Sequence, residues 1–218
     1  MDPAAPARTV GQLVADTIRL YGDRFWRALP LGLSVAAVDQ AFNGLPREQW
    51  VLLMVTAGAV LMTASYVAAC LLAFGKRAEK RAWARAMVAG WLAFFPVPAL
   101  LLVFILPAVA WLALVGLVVP VILAEELGLR AAFRRAVQLA RADYIHALGT
   151  LATLVIVYFL TRTMLVLLLR GTGDQTERVA VFLGDLVLAP LLFLGGALLY
   201  FDQVARHDAK RGQPLPRR

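Results

Sequence analysis

Residues 120–148 read PVILAEELGLRAAFRRAVQLARADYIHAL, and the reading of this stretch decides the fold. An apolar run stops at the paired acids Glu125 and Glu126, gives way to a basic amphipathic segment, and turns apolar again. The amphipathic part places Arg130, Arg134 and Arg141 on one helical face and Leu129, Phe133, Val137 and Ala140 on another. Its neighbours put it at a membrane surface. Residues 87–124 are almost free of charge, and residues 144–169 carry only His146 and Arg162.

Composition agrees. With 61% hydrophobic residues, 17% charged residues and a mean hydropathy of +0.74, the chain lies outside the soluble globular range and fits an integral membrane class. The net charge of +8 would also suit nucleic acid, but the basic residues flank apolar runs, where anionic headgroups are the nearer partner. No nucleic acid is expected. The single cysteine, Cys70, excludes an intramolecular disulfide, and with two histidines no metal site or cofactor is expected. The opening MDPAAPARTVGQ lacks the pattern of a cleaved signal peptide, so insertion is expected to rely on the spans. Nineteen arginines against three lysines fit a high-GC bacterial genome.

In chain order, Thr9 with Gln12 forms a capping-box pattern. Val10, Leu13, Val14, Thr17, Ile18, Tyr21 and Phe25 then recur at helical spacing opposite a polar, basic face. This helix is expected in the interface, its apolar face on lipid or on protein. Six spans follow, at about 28–44, 50–74, 87–105, 108–124, 145–169 and 179–201, the third and fourth separated at Leu106 and Pro107 because 38 apolar residues exceed one crossing. A single long tilted helix is the alternative there. Residues 76–86, KRAEKRAWARA, read as a second interfacial helix and residues 202–218 as a disordered basic tail. The fold class is therefore all-α, a polytopic membrane protein of three hairpins in one membrane domain, each hairpin preceded by an interfacial helix.

Orientation follows from charge. Eighteen of the 22 Lys/Arg fall in the N-terminal segment, the two later basic segments and the tail, leaving Arg47, Arg162, Arg170 and Arg178 for the other side. The positive-inside rule then places both termini in the cytoplasm of a bacterial inner membrane. Three junctions also share a pattern of aromatic, any residue, basic, alanine, apolar: FWRAL from Phe25 with Arg27, WARAM from Trp83 with Arg85, and YIHAL from Tyr144 with His146. Their starts lie 58 and 61 residues apart, which reads as three repeated units with the aromatic at headgroup level, although aromatic and basic residues gather at any such boundary.

The opening TVGQLVADTIRLYGDRFW and the block VVPVILAEELGLRAAFRRAVQLARADY resemble a family of bacterial six-span proteins, the glycerophosphoryl diester phosphodiesterase membrane domain and its stand-alone relatives. Pro120, Glu126, Gly128, Ala132 and Arg135 hold the family-like positions, and Ala136 replaces a serine common in such blocks. The resemblance implies a membrane module. In the members that name the family a soluble catalytic barrel follows, whereas this chain ends 17 residues after its last expected span, so no enzyme activity is expected to carry over.

Glu125, Glu126 and Arg130 also spell the EExxxR motif of intramembrane proteases, but the histidine motifs that would complete a hydrolytic centre are missing around His146 and His207. The bland account places both acids in the first turn of the central helix, with Glu126 and Arg130 as an i,i+4 pair. Candidate lipid or partner contacts are Arg130, Arg134, Arg135, Arg141, Lys76, Arg77, Lys80 and Arg81. Asp39, Arg162 and Asp185 are ionisable groups within spans, each a functional candidate because ions at that depth are costly. An Arg162–Asp185 ion pair, a polar pathway for a solute or proton, and snorkelling are the readings open. The expected function is a non-enzymatic module contacting anionic lipid or a membrane protein partner, with a small transporter or channel as the rival.

Overall fold

The computed structural model describes residues 8–42, 44–76, 78–171, 173–210 and 212, and among them there is no strand. Helix α1 (Val10–Asp23) starts on the expected capping box, the Thr9 side chain accepting from the Gln12 amide at 3.3 Å and the Gln12 side chain from the Thr9 amide at 2.9 Å. It is followed by α2 (Phe25–Ala28), a 3₁₀ turn (Leu29–Gly32) and α3 (Leu33–Phe42). Then come α4 (Arg47–Leu53), a π-helical stretch (Met54–Gly58) and α5 (Ala59–Phe74), which run as one rod. Helices α6 (Lys80–Phe94) and α7 (Val97–Val103) make the next, α8 (Ile105–Val115) and α9 (Val118–Glu125) the one after. The amphipathic α10 (Leu129–Ala142), α11 (Tyr144–Leu169) and α12 (Asp174–Lys210) complete the chain.

Five of these rods are long and apolar enough to cross a membrane: Arg47–Phe74, Lys80–Val103, Ile105–Glu125, Tyr144–Leu169 and Asp174–Lys210. The expected first span, 28–44, is not among the five; its described residues stay helical through α2, the 3₁₀ turn and α3, and the ladder narrows to 3₁₀ around Pro30, which has no amide hydrogen to donate. The expected division at Leu106 and Pro107 falls at Phe104, whose extended backbone (φ −172°, ψ 161°) turns α7 back onto α8; Pro107 is accommodated in the first turn of α8. Two further expectations are corrected. Residues 76–86 do not form a separate interfacial helix: Gly75 closes α5 in the left-handed region and Lys80 begins a helix that continues directly into apolar sequence. Residues 202–210 are the last turns of α12 and not a disordered tail, with Asp202, Gln203 and Ala205 buried. Arg77, residues 1–7, Arg211 and residues 213–218 lie outside the described residues.

Helix α12 is the axis, touching α1, the 3₁₀ turn, α3, α5, α9, α10 and α11. Small residues make that possible. A Cβ at Gly32 would meet the Leu186 carbonyl oxygen at 2.1 Å, so that site admits only glycine at this spacing, and one at Gly195 would meet the end of the Leu154 side chain at 2.2 Å, which would have to move. Helix α1 lays Leu13, Thr17 and Tyr21 onto α11 and α12 and leaves Ile18 exposed, so its apolar face packs on protein. Where the long rods deviate, side chains satisfy backbone carbonyls: the Trp91 indole donates to Val55 in the π-helical stretch at 3.2 Å, and Trp111 to Ala93 at 2.8 Å.

Candidate functional site

Polar groups gather at the two ends of the bundle. At one end, called basic here, α1, the start of α6, α10 and the end of α12 converge. Arg24 reaches the Leu72 carbonyl, Arg85 donates to the carbonyls of Glu126 and Leu127 at 3.2 Å each, and Lys210 reaches the Ala142 carbonyl. The opposite end holds Leu45 and Pro46, Phe104, and Arg170 and Gly171, and Gly44, Ile105 and Asp174 close to them line one common cavity.

That cavity measures about 840 Å³, within the roughly 300–1,000 Å³ of small-molecule sites. It runs from Asp174 and Trp50 inward to Tyr66 and Phe193 and is lined mostly by apolar side chains. Asp39 and Arg162 stand in its wall, with Asp185 behind Arg162. Arg162 on α11 holds Asp39 of α3 through Nη2 at 2.5 Å and Asp185 of α12 through Nε at 3.4 Å. Tyr158, one turn before Arg162, donates its hydroxyl to Asp185 at 2.6 Å. Asp185 is fully buried, and its second oxygen, Oδ2, has no hydrogen-bond partner among the described residues. Burying an ion costs several kcal/mol unless it is paired, and here one guanidinium serves two carboxylates, leaving the group one charge negative. Beside it, the Gln40 amide donates to the Arg178 carbonyl at 2.9 Å, tying α3 to the start of α12.

At the basic end, α10 turns Arg130, Arg134 and Arg141 outward, all exposed and without a carboxylate partner among the described residues, while Leu129, Phe133 and Val137 pack on the core. Arg135 differs from this face: it is half-buried, and its Nε lies 3.3 Å from both oxygens of Glu125. Glu125 also accepts from the Tyr200 hydroxyl at 3.1 Å. The acids do not occupy the first turn of α10. Glu125 is the last residue of α9, Glu126 caps α9 in the left-handed region (φ 56°), and Gly128 is the N-cap of α10, so no i,i+4 pair joins Glu126 to Arg130. Lys76, Lys80 and Arg81 are exposed near the same end.

The three repeated junctions share one structural feature: their alanines, Ala28, Ala86 and Ala147, are completely buried. Their aromatics differ. Phe25 packs on the Tyr21 ring, Trp83 is 48% exposed, and Tyr144 donates to the Ala110 carbonyl at 3.0 Å. Of the basic positions, Arg27 is exposed, Arg85 bridges to the α9–α10 connection, and His146 sits 3.0 Å from Asp202.

His146 belongs to a network that reading the chain in order did not reveal. Asp202 accepts from the Arg8 amide and from Arg206 Nε, each at 2.7 Å. Arg206 also reaches Asp143 at 2.8 Å, and Arg8 pairs with Asp16 at 3.0 Å. The only local signal was the i,i+4 spacing of Asp202 and Arg206. For the other cluster, Tyr158 could have been found four residues before Arg162.

Comparison with family models, with curated proteins and with solved structures finds no match to this chain.

Proposed function

We propose that this chain is a non-enzymatic, multi-pass module of a bacterial inner membrane whose basic end holds anionic lipid headgroups. The observation that carries the reading is the outward face of α10, where Arg130, Arg134 and Arg141 stand exposed while the apolar side of the same helix is spent on the core. A helix fixed to the bundle in this way presents its guanidinium groups without losing packing when a ligand leaves. Near an anionic leaflet each is worth roughly 1 kcal/mol, and guanidinium forks bind phosphate oxygens bidentately. Exposed Lys76, Lys80 and Arg81 extend the field. In this reading residues 25–42 make a sixth, interrupted crossing, both termini are cytoplasmic, and the resemblance to the phosphodiesterase membrane domain concerns the membrane part alone. An acidic surface of a partner protein would use the same face.

The test is native mass spectrometry of the purified protein released from mixed bacterial lipids, wild type against R130Q/R134Q/R141Q. Arg135 stays, since it is bound to Glu125. Loss of most retained phosphatidylglycerol or cardiolipin, with neutral lipid unchanged, is the expected result. Equal retention by both proteins sinks the reading.

A second reading is favoured by the Asp39–Arg162–Asp185 cluster at the cavity wall. There the protein is a small transporter or channel, and the cavity is the path.

A further inference from the structure

We infer that the cavity at the end opposite the basic surface is a binding site for a hydrophobic organic cation. Three properties of its wall converge on that class. First, charge: Asp39, Asp174 and Glu177 line it against Arg162 and Arg178, with Asp185 directly behind Arg162, a balance of two negative charges in a protein whose net charge is +8. Second, the guanidinium set deeper in the wall is already spent: Arg162 gives Nη2 to Asp39 and Nε to Asp185, so an anionic headgroup reaching it would have to displace a carboxylate, and Arg178, the other guanidinium in the lining, stands exposed on the same helical turns as Asp174 and Glu177. Third, the lining offers π faces: Phe42, Trp50, Tyr66, Tyr158 and Phe193 all border the space. Aromatic faces attract cations by their quadrupole, more strongly where water is excluded.

The shape fits the same class. The polar groups Asp174, Glu177 and Arg178 stand at one end of the cavity, and the deep end, by Tyr66, Phe193 and Leu199, is apolar. Coulomb attraction falls only as the inverse of distance at low dielectric, so the unbalanced acids act on a cation anywhere in the space. A neutral acyl chain would gain from the apolar lining but leave the charge imbalance unused. An anionic amphiphile would meet it as repulsion. This inference names the ligand class of the second reading's cavity and rests on its geometry, but it requires binding and not transport.

The experiment uses the full chain in phosphatidylcholine nanodiscs, with empty nanodiscs as background, and two probes of matched shape and opposite charge, tetraphenylphosphonium and tetraphenylborate. Equilibrium dialysis should show saturable binding of the phosphonium above the empty discs and none of the borate. Asp174→Asn with Glu177→Gln removes rim charge without touching the buried cluster and should weaken phosphonium binding by about tenfold. Val155→Trp fills the space from α11 and should abolish it. Retained wild-type melting shows that each variant is folded, and if the tryptophan variant does not fold the rim variant decides alone. Three results overturn the inference: no saturable phosphonium binding, binding indifferent to the rim charges, or equal binding of the borate. Phosphonium binding without uptake into proteoliposomes keeps the site and removes the carrier reading.

Discussion

Two neighbouring acids at the α9–α10 connection have opposite structural worth. Glu125 accepts from Arg135 and from Tyr200, so its carboxylate is satisfied from two elements. Glu126 instead stands at φ 56°, a left-handed conformation that costs a residue with a Cβ about 1 kcal/mol and that glycine adopts freely. Glu125→Gln should therefore destabilise by about 1–3 kcal/mol, because Arg135 loses its charged partner. Glu126→Gly should stabilise by about 0.5–1 kcal/mol. The buried Cys70 supplies the readout, since a thiol-reactive dye labels it only as the bundle opens on heating. If both variants shift the midpoint the same way, the assignment of Glu126 as cap and Glu125 as tether is wrong. The EE pair was legible as a boundary, but not which side of it each acid belongs to. That depends on where the backbone turns over, and the left-handed residue fell on a glutamate although Gly128 stood two positions on.

At the level of elements, the close contact between the 3₁₀ turn and α12 decides how far the first short helices sink into the bundle. Gly32→Ala puts a methyl group against the Leu186 backbone, which cannot yield as a side chain can, and should cost about 1–3 kcal/mol by the same dye assay. Gly11→Ala in α1, where a Cβ meets nothing within 4 Å, is the control and should gain about 0.5–1 kcal/mol from helix propensity alone. Equal effects at both positions would mean that α12 does not approach the turn. Much at this scale was readable. The Thr9–Gln12 box opened α1 where expected, and the two faces of residues 129–142, Arg130, Arg134 and Arg141 against Leu129, Phe133, Val137 and Ala140, gave α10. What the sequence hid was continuity. Charge at Lys80, Arg81 and Arg85 read as a separate surface helix, but charge does not break a helix, and no proline or glycine stands between Lys80 and Gly90. The same reasoning applies after Tyr200, where DQVARHDAK is polar and nevertheless helical. Residues 28–44 were apolar enough to be read as one span, but the change to 3₁₀ geometry at Pro30 was not read from the sequence. Asp39, Arg162 and Asp185 were singled out by cost alone. Their meeting at one cavity required three helices to be in place, which no periodicity shows.

Over the whole molecule, the two ends are closed by different means. The cavity end is tied by the three-ion cluster, and the basic end by Asp202, which is fully buried at its carboxylate and joins the start of α1, the α10–α11 junction and the last turns of α12. Arg8 and Asp202 are 194 positions apart, so this contact closes the longest loop the described chain contains a hydrogen bond across, save Arg206 to the Arg8 carbonyl. Closure of long loops costs entropy that grows only slowly with length, and a buried, charge-assisted network can offset it. Neutralising Asp202 leaves Arg206 paired with Asp143 alone and removes the charge from the bonds that Asp202 accepts, at about 1.5–3 kcal/mol. Asp202→Asn keeps size and one acceptor, so it tests charge and not packing. It should loosen α1 first, because α1 is held by α11 and α12 and is not itself a crossing rod. Hydrogen exchange by mass spectrometry would then show faster exchange across Val10–Asp23 with protection near Asp39, Arg162 and Asp185 unchanged. Unchanged protection of α1 would show that its buried stripe of Leu13, Thr17 and Tyr21 holds it without the network. Uniform loss everywhere would show that the two ends are not independent, and that the surface of α10 and the cavity opposite it cannot be treated as separate sites.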